Sequence, residues 1–341
     1  MALLHNRVNG EELKRRLQES DEKRITLSFY KYHHIFDVNQ FRDNFFRDWS
    51  KLSVFGRIYV AKEGINGQIS VPESNFEQFK TAINSIDFLK DVRLNIAVDD
   101  DGKSFFKLAI KIKDKIVADG LHDDTFDVTN SGTHLDAVAF NALTDNPNTI
   151  LVDMRNHYES EVGYFEGAIR PDVETFRDSL PIIEDMLRGN EDKNLVMYCT
   201  GGIRCEKASA YFKHKGFENV FQLDGGIIKY AQTVNEQGEQ NKFKGVNFVF
   251  DERLGERISE DVVANCHQCH KPCDVHKNCK NDACHILFIQ CKSCETTYDS
   301  CCSIECSDFV KLPEVEQTEL RKTAVFNGTK FGKSRYKVSL V

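Results

Sequence analysis

The segment 194–204 reads NLVMYCTGGIR, and it decides the fold of the middle of the chain. A short apolar run with strand-type residues ends just before Cys199, and a Gly-rich turn then leads into a helical pattern. Strands that alternate with helices in this way predict a parallel sheet with helices on both faces, which places the central region in the α/β class. The predicted elements are strands at 149–153, 194–198 and 220–223 and helices at 135–143, 179–187 (with Pro181 in its first turn) and 206–215 (ended by Gly216).

Cys199 follows the carboxyl end of its strand, which is where parallel α/β sheets place their ligand sites. The backbone N–H groups of the loop and the amino terminus of the next helix form a cradle for an anion. Such a cradle favours a thiolate and would also hold a persulfide anion. The alternative is a buried structural cysteine, the ordinary role of an isolated one. The predicted active loop consists of Thr200, Gly201, Gly202, Ile203 and Arg204, the last of which closes the loop around the anion.

This loop resembles the active loop of rhodaneses, in which four residues separate the cysteine from the arginine. The related phosphatase loop is one residue longer, so the spacing from Cys199 to Arg204 favours sulfur chemistry over phosphate hydrolysis. Cys205 has two interpretations, a resolving thiol or a packing residue. Other segments that resemble rhodaneses are 152–155 (VDMR) followed by Glu159, 167–170 (GAIR), and Gly225-Gly226.

The amino-terminal region has a β-α-β-β-α-β pattern, which is typical of a ferredoxin-like sheet covered by two helices on one face. Acidic, Gly-containing stretches at 99–102 and 119–127 indicate turns or a linker, so the boundary of this α+β domain is predicted at residue 125. The pattern consists of a strand at 25–32, a helix at 39–50, two strands within 56–71 broken around 63–67, a helix at 73–85, and strands near 92–98 and 109–117.

Ten of the 12 cysteines lie between Cys266 and Cys306. A long chain without an export signal favours metal ligation or redox chemistry over a disulfide framework. Two Cys-x2-Cys pairs have nearly the spacing of a zinc ribbon, so one structural zinc site is predicted from Cys266, Cys269, Cys291 and Cys294. The remaining cysteines, with His267, His270, His276 and His285, could complete a second site of undetermined pairing; a reduced or partly disulfide-linked segment without metal is the alternative.

The composition is that of an ordinary globular protein, with 40% hydrophobic and 29% charged residues. The sequence shows neither a signal peptide nor an apolar run long enough for a membrane span, so a cytoplasmic location is expected. The net charge of -8 says little about partners, because nucleic-acid binding depends on local patches. One such patch is the tail 321–341, which has six basic residues and no acidic one, with three aromatic residues interleaved. It fits RNA binding and, on composition alone, equally a disordered solubilising tail.

Three blocks together extend the resemblance over nearly the whole chain. They are 56–67 (GRIYVAKEGING), 199–207 (CTGGIRCEK) and the Cys-rich segment. In this order they are similar to the bacterial rhodanese-related tRNA uridine 5-hydroxylase family. The resemblance implies an acylphosphatase-like amino-terminal domain, an essential thiol at Cys199, and oxygen-dependent formation of 5-hydroxyuridine at the wobble position, 34, of tRNA. Molecular oxygen would then be the co-substrate, the anticodon loop the partner, and the reductant unknown.

The residues themselves show neither a dinucleotide fingerprint nor an assignable two-His-one-carboxylate iron site, so no cofactor is certain. Read alone, the Cys199 loop predicts a sulfurtransferase that carries a persulfide, and a tRNA-binding module without catalysis is a third hypothesis that Cys199 and Arg204 disfavour. Three domains are predicted, an acylphosphatase-like domain at 1–125, a rhodanese domain at 126–240, and a Cys-rich region with the basic tail at 241–341.

Overall fold

The structure, a computed structural model, describes residues 9–121, 126–328 and 335–336. It confirms the predicted fold class, an α+β amino-terminal domain followed by a parallel-sheet α/β domain and a Cys-rich region. The predicted boundary at residue 125 lies outside the described residues, and the one at residue 240 falls in the short connection before a new strand. Among the described residues, no helix is both long enough and apolar enough to cross a bilayer.

The amino-terminal domain is a five-stranded sheet in the order β4-β1-β3-β2-β5. The first four strands have the ferredoxin-like order, and β5 extends the sheet by pairing in parallel with β2. The last two strands are shorter than predicted, and α1 was not predicted at all. The elements are α1 (Gly10–Glu19), β1 (Arg24–Tyr32), α2 (Val38–Lys51), β2 (Phe55–Ala61), β3 (Gly64–Pro72), α3 (Phe76–Asn84), β4 (Asn95–Ile96) and β5 (Leu108–Ile112), with 3₁₀ turns at Glu73–Asn75 and Asp87–Leu89.

The helices α2 and α3 of this domain pack on one face of the sheet. On β1, Leu27 and Phe29 point to the helical side, where Trp49 of α2 is almost fully buried. Because side chains alternate along a strand, Ser28 and Tyr30 point to the opposite face. That second face carries polar and aromatic side chains, and it is turned toward the central domain.

The central domain is built on a parallel sheet in the order β6-β10-β9-β7. The prediction that Pro181 lies in the first turn of its helix was wrong, because the helix begins at Phe176 and Pro181 is its sixth residue. The elements are β6 (Thr133–Leu135), α4 (Ala137–Thr144), β7 (Thr149–Asp153), α5 (His157–Ser160), β8 (Gly163–Phe165), α6 (Phe176–Leu187), β9 (Asn194–Tyr198), α7 (Ile203–His214), β10 (Asn219–Leu223) and α8 (Gly226–Gln237).

The carboxyl-terminal region is joined to the central domain by strand pairing. Its first strand pairs antiparallel with β8, so one short sheet contains strands from both sides of residue 240. Beyond it, a small hairpin and three short helices surround the cysteines. The elements are β11 (Phe243–Asn247), β12 (Glu256–Arg257), β13 (His276–Asn278), β14 (Leu287–Ile289), α9 (Lys292–Thr297), α10 (Ile304–Lys311) and α11 (Glu314–Leu320).

Candidate active site

Cys199 lies between β9 and α7, fully buried, at the carboxyl edge of the parallel sheet. The N–H of Gly202 donates to its Sγ at 3.1 Å. Gly202 has a φ of 101°, and a Cβ there would lie 2.8 Å from the Tyr30 hydroxyl oxygen, so this position requires glycine. Because the backbone turns sharply here, α7 begins at Ile203 rather than at the predicted residue 206. The loop thus directs a backbone N–H group at the sulfur, and anion binding by the loop stays a prediction.

The thiol of Cys199 is poised to ionise at neutral pH. Burial by itself would raise its pKa, but the Cys205 thiol, the Arg204 charge and backbone N–H groups outweigh burial and lower the pKa to about 6. The thiolate is the nucleophilic form, and it predominates above that pH. A buried cysteine with a lowered pKa is not simply a packing residue, so the geometry supports the functional interpretation of Cys199.

Arg204 is held by a partner from another element. Its two terminal nitrogens donate to the two carboxylate oxygens of Glu159 at 2.6 and 2.8 Å. Glu159 is fully buried; burial would raise its pKa, but the Arg204 charge holds the pKa below its usual range. The guanidinium therefore lies beside Cys199 in a fixed orientation. Glu159 was noted in the sequence only as part of a motif, and its function as the partner of Arg204 needed the three-dimensional arrangement.

A second buried ion pair supports the same edge of the sheet. Arg155 donates to both carboxylate oxygens of Asp153, with its Nη2 lying 2.6 Å from Oδ2. The same Nη2 donates to the carbonyl of Gly163 at 2.6 Å, which links the end of β7 to β8. Both side chains are fully buried. Asp153 and Arg155 of the VDMR motif thus stabilise the edge of the sheet that carries the site, and they do not line the cleft.

A cleft of about 390 Å³ opens between the Cys199 loop and the amino-terminal sheet. The Asn95 side chain donates to the carbonyl of Gly201 at 3.4 Å, and the Tyr30 hydroxyl donates to Glu206 at 3.2 Å. Two domains therefore form one site. The wall opposite Cys199 consists of Ser28, Tyr30, Arg57, Tyr59, Asn66 and Gln68, with Phe250 from the carboxyl-terminal region.

Lys207 connects the two domains directly behind this cleft. Its ammonium group lies 2.7 Å from a carboxylate oxygen of Glu63 and 2.5 Å from one of Asp119, and its side chain is only 1% exposed. Burial would raise the pKa of Asp119, but Lys115 and Lys207 hold it below its usual range. Glu63 and Lys207 belong to two of the blocks that carried the family resemblance, and here they contact each other.

Cys205 is the third residue of α7 and is fully buried beside Cys199. Burial and the neighbouring Cys199 raise its pKa well above the ordinary value for a thiol. At neutral pH it is therefore a neutral S–H group, and its proximity favours the thiolate form of Cys199. This geometry favours a positioning role, while a resolving role for Cys205 stays a prediction.

Replacing Cys205 should change the ionisation of Cys199. In Cys205→Ala the thiolate loses a donor, and because a hydrogen bond to a charged group contributes about 1.5–3 kcal/mol, we expect the pKa of Cys199 to rise by about one to two units. The pH dependence of iodoacetamide labelling at Cys199, measured by peptide mass spectrometry, reports this pKa, and we expect a midpoint of about 6 for the unmodified protein. Cys205→Ser keeps a donor and should leave the midpoint near 6. Equal midpoints for the two variants would contradict the assigned contact.

The four cysteines of the predicted zinc site are brought together. The sulfur atoms of Cys266, Cys269, Cys291 and Cys294 all lie within 4.8 Å of one another. In the described part of the chain, a second group contains Cys279, Cys284, Cys302 and Cys306, and neither group includes a histidine. His267, for example, contacts Glu161 at 2.9 Å instead. Both groups have a donor set that could hold a metal ion.

The basic tail is only partly described, and some of its described side chains contact the rest of the protein. Arg335 forms ion pairs with Asp172 and Glu174, and the Tyr336 ring stacks on His267 with centroids 5.0 Å apart. Lys330, Phe331, Lys333 and Lys337 lie outside the described residues. RNA binding by this tail stays a prediction, and the side chains of Phe326, Arg335 and Tyr336 are already engaged in contacts within the protein.

Comparison with known proteins gives matches over the full length. The chain is 54% identical over 340 residues to the tRNA uridine(34) hydroxylase of Photorhabdus laumondii, with 99% of this chain and 96% of the relative covered. It is 56% identical over 337 residues to the protein of that name in Yersinia pestis, with 98% and 95% covered. The chain belongs to the tRNA uridine(34) hydroxylase family.

Three family models match this member of the tRNA uridine(34) hydroxylase family in succession. They are the UPF0176 acylphosphatase-like domain at residues 24–116, the rhodanese-like domain at 136–233 and the rhodanese C-terminal region at 244–307. A solved rhodanese-like domain protein from Staphylococcus aureus is similar over 29% of this chain and 90% of its own, with 22% identity and a TM-score of 0.24. These family matches confirm the two domains expected from the sequence, the acylphosphatase-like domain and the rhodanese domain.

Proposed function

We propose that this protein hydroxylates C5 of uridine 34 in tRNA, with the Cys199 thiolate as its essential group. One observation carries the proposal furthest: the thiolate faces a cleft whose other wall comes from a second domain with aromatic and amide side chains. A sulfurtransferase loop by itself does not require such a wall. The full-length similarity to relatives named for this reaction supports the same substrate.

The cleft has the size and the side chains to bind an RNA base that no longer stacks on its neighbours. Its volume of about 390 Å³ lies within the range of small-molecule sites. Proteins read single-stranded RNA by stacking unstacked bases on aromatic rings and by hydrogen bonds to their edges. Tyr59 offers such a ring, and Asn66 and Gln68 offer amide groups that match the carbonyl and imide groups of uracil. Arg57, which is exposed, is placed to contact a phosphate of the anticodon loop.

The overall reaction replaces the hydrogen on C5 by a hydroxyl group. With molecular oxygen as the oxidant, one oxygen atom enters the base and the other leaves as water, which requires two electrons and two protons from a separate reductant. In this scheme the described residues supply the thiolate, the buried Arg204 charge and the cleft between the two domains. The reaction takes place where tRNA is found, which agrees with a cytoplasmic location.

Nucleoside analysis of tRNA tests the proposal. A strain without this protein and without any redundant hydroxylase should lose 5-hydroxyuridine and its derivatives at position 34, and plasmid-borne protein should restore them. Purified protein with tRNA, oxygen and a reductant should incorporate one ¹⁸O atom per modified uridine from labelled oxygen gas. Normal wobble nucleosides in the deletion strain would refute the function.

Tyr59 is the wall residue whose replacement should act on substrate binding alone. Tyr59→Ala removes a stacking surface worth about 1–3 kcal/mol per base, so we expect KM for tRNA to rise about tenfold or more. Tyr59→Phe keeps the ring and should be close to the unmodified protein. The pKa of Cys199, measured by labelling, should not change in either variant. A KM for Tyr59→Ala within twofold of the original would exclude stacking on this ring.

A sulfurtransferase is the second candidate, favoured by the N–H of Gly202 on Cys199 Sγ and by the length of the loop. The step would be attack of the thiolate on the outer sulfur of thiosulfate, which forms a Cys199 persulfide and releases sulfite. Intact-protein mass spectrometry after incubation with thiosulfate should then show one added sulfur, absent in Cys199→Ser. An unmodified thiol throughout turnover would contradict both the sulfurtransferase and a persulfide intermediate in hydroxylation.

We also propose a structural zinc ion at Cys266, Cys269, Cys291 and Cys294. The sulfur atoms of Cys269 and Cys291 are 3.6 Å apart, and tetrahedral coordination with Zn–S bonds of about 2.3 Å gives edges of about 3.8 Å. The N–H of Cys291 donates to Cys266 Sγ at 3.4 Å, as second-shell donors do for thiolate ligands. All four positions are occupied by protein, which is typical of a structural rather than a catalytic zinc site.

A further inference from the structure

The second group of cysteines has the geometry of a separate metal site. Cys279, Cys284, Cys302 and Cys306 are all at most 2% exposed, and none forms a disulfide. Cys302 Sγ lies 3.6 Å from Cys284 Sγ and 3.7 Å from Cys306 Sγ. These separations agree with the edge of about 3.8 Å expected for four thiolates around one tetrahedral ion. A four-iron cluster would hold its four thiolates farther apart, because each binds a different iron.

Each of these four sulfur atoms also faces an N–H donor. Neutral thiols rarely collect donors in this way, whereas metal-bound thiolates, which are strong acceptors, are stabilised by them. Asn281 is turned for this purpose, because its carbonyl oxygen accepts from Ala283 while its amide faces the sulfur. The contacts are from Cys302 N to Cys279 at 3.4 Å, Gly328 N to Cys284 at 3.3 Å, Asn281 Nδ2 to Cys306 at 3.3 Å and Asn327 Nδ2 to Cys302 at 3.9 Å.

The two groups are built alike. In each, the first two cysteines stand on a turn whose next residue, His270 or His285, has a positive φ of 60° or 46°. In each, the last cysteine is the third residue of a short helix, Cys294 in α9 and Cys306 in α10. Because the second group of cysteines repeats the local structure of the first, we expect both groups to bind the same kind of metal ion.

We propose that Cys279, Cys284, Cys302 and Cys306 bind a second zinc ion, interleaved with the first site along the chain. The pairs 266/269 and 291/294 hold one ion, and the pairs 279/284 and 302/306 hold the other, so the two sites brace each other. Residues 326–328 close the second site, since Phe326 packs on Phe309 and Gly328 donates to Cys284. This inference does not depend on the hydroxylase function.

The proposed second zinc site can be tested by counting the metal ions bound to the full-length protein. Native mass spectrometry and elemental analysis of protein purified without chelator should give two zinc ions per chain. Cys284→Ser and Cys306→Ser should each retain one, and so should Cys269→Ser in the first site. Cys273→Ala and Cys301→Ala, matched replacements of cysteines outside both groups, should retain two. One ion in the unmodified protein, or two in Cys284→Ser, would overturn the second site.

Cobalt substitution and truncation test the second site without replacing any cysteine, so the result does not depend on whether a cysteine variant folds. Titration of the demetallated unmodified protein with cobalt should develop tetrahedral thiolate bands with an endpoint of two equivalents; an endpoint of one would refute the proposal. A chain ending at residue 323 should release one of its two ions to a chelator about tenfold faster or more, because outer donors typically contribute 10- to 100-fold to metal affinity. If the truncated chain released its two ions at equal rates, residues 326–328 would not be protecting the second site.

Discussion

Cys199→Ser should lower hydroxylation of tRNA by about three orders of magnitude or more, with little change in folding or in tRNA affinity. Serine is nearly isosteric and can still accept from the N–H of Gly202, which is 3.1 Å from the sulfur. What it lacks is the ionised form, because the surroundings that lower the pKa of the thiol to about 6 cannot ionise an alcohol at neutral pH. Single-turnover assays with nucleoside mass spectrometry measure the loss.

Two controls separate chemistry from structure. Cys205→Ser replaces the neighbouring buried cysteine, which lies in α7, and should keep most of the activity. The melting temperature of Cys199→Ser should stay within a few degrees of the unmodified protein, and its Kd for tRNA within about threefold. More than a tenth of the original rate in Cys199→Ser would show that the thiolate is not the essential group.

Lys207→Met should destabilise the protein by about 3–5 kcal/mol, the usual cost of removing one partner from a buried ionic cluster. The side chain is 1% exposed, and its loss removes the cation that bridges Glu63 and Asp119, leaving the two carboxylates close together. Because Glu63 lies in the amino-terminal domain and Lys207 in α7, we expect the two domains to separate first. Urea unfolding, limited proteolysis near residues 119–127 and the hydroxylation rate should all respond, the rate by about tenfold or more.

A second replacement identifies the cause. Adding Glu63→Gln to Lys207→Met removes one of the two unbalanced charges and should recover part of the stability. Lys215→Met, at the residue that follows α7, is the surface control, since its pair with Glu184 is more than one-third exposed and should contribute at most about 1 kcal/mol. Equal effects of Lys207→Met and Lys215→Met would exclude a structural role for the buried cluster.

Much of the fold follows from local pattern. The strand at 194–198 and the glycines after Cys199 determine where the loop lies, because apolar runs and positive-φ positions are encoded locally. The start of α7 and the position of Pro181 were misjudged because the helix amino termini depend on loop geometry rather than on periodicity. The helix α1 was missed, although Asn9 accepts from the N–H of Glu11 as an amino-terminal cap does.

The contacts between site residues that are far apart in the chain were less predictable than the secondary structure. Arg204 was expected at the anion, but its attachment to Glu159 depends on packing between residues 45 positions apart. The first four cysteines could be grouped from two Cys-x2-Cys pairs, whereas the second group has irregular spacing and was left undetermined. The opposing wall of the cleft could not be inferred, because the docking of the two domains depends on contacts between residues far apart in the chain, such as Glu63 with Lys207, which local patterns do not reveal.

The pairing of β8 with β11 has a consequence for synthesis on the ribosome. The central domain is nearly complete when residue 240 has been made, yet the edge of β8 stays open until 243–247 emerge and pair with it. At about 5–20 residues per second this interval is short, but an unpaired edge invites association with other chains while it lasts. A fragment ending at residue 240 would keep that edge permanently, so the rhodanese unit is better isolated with its following strand attached.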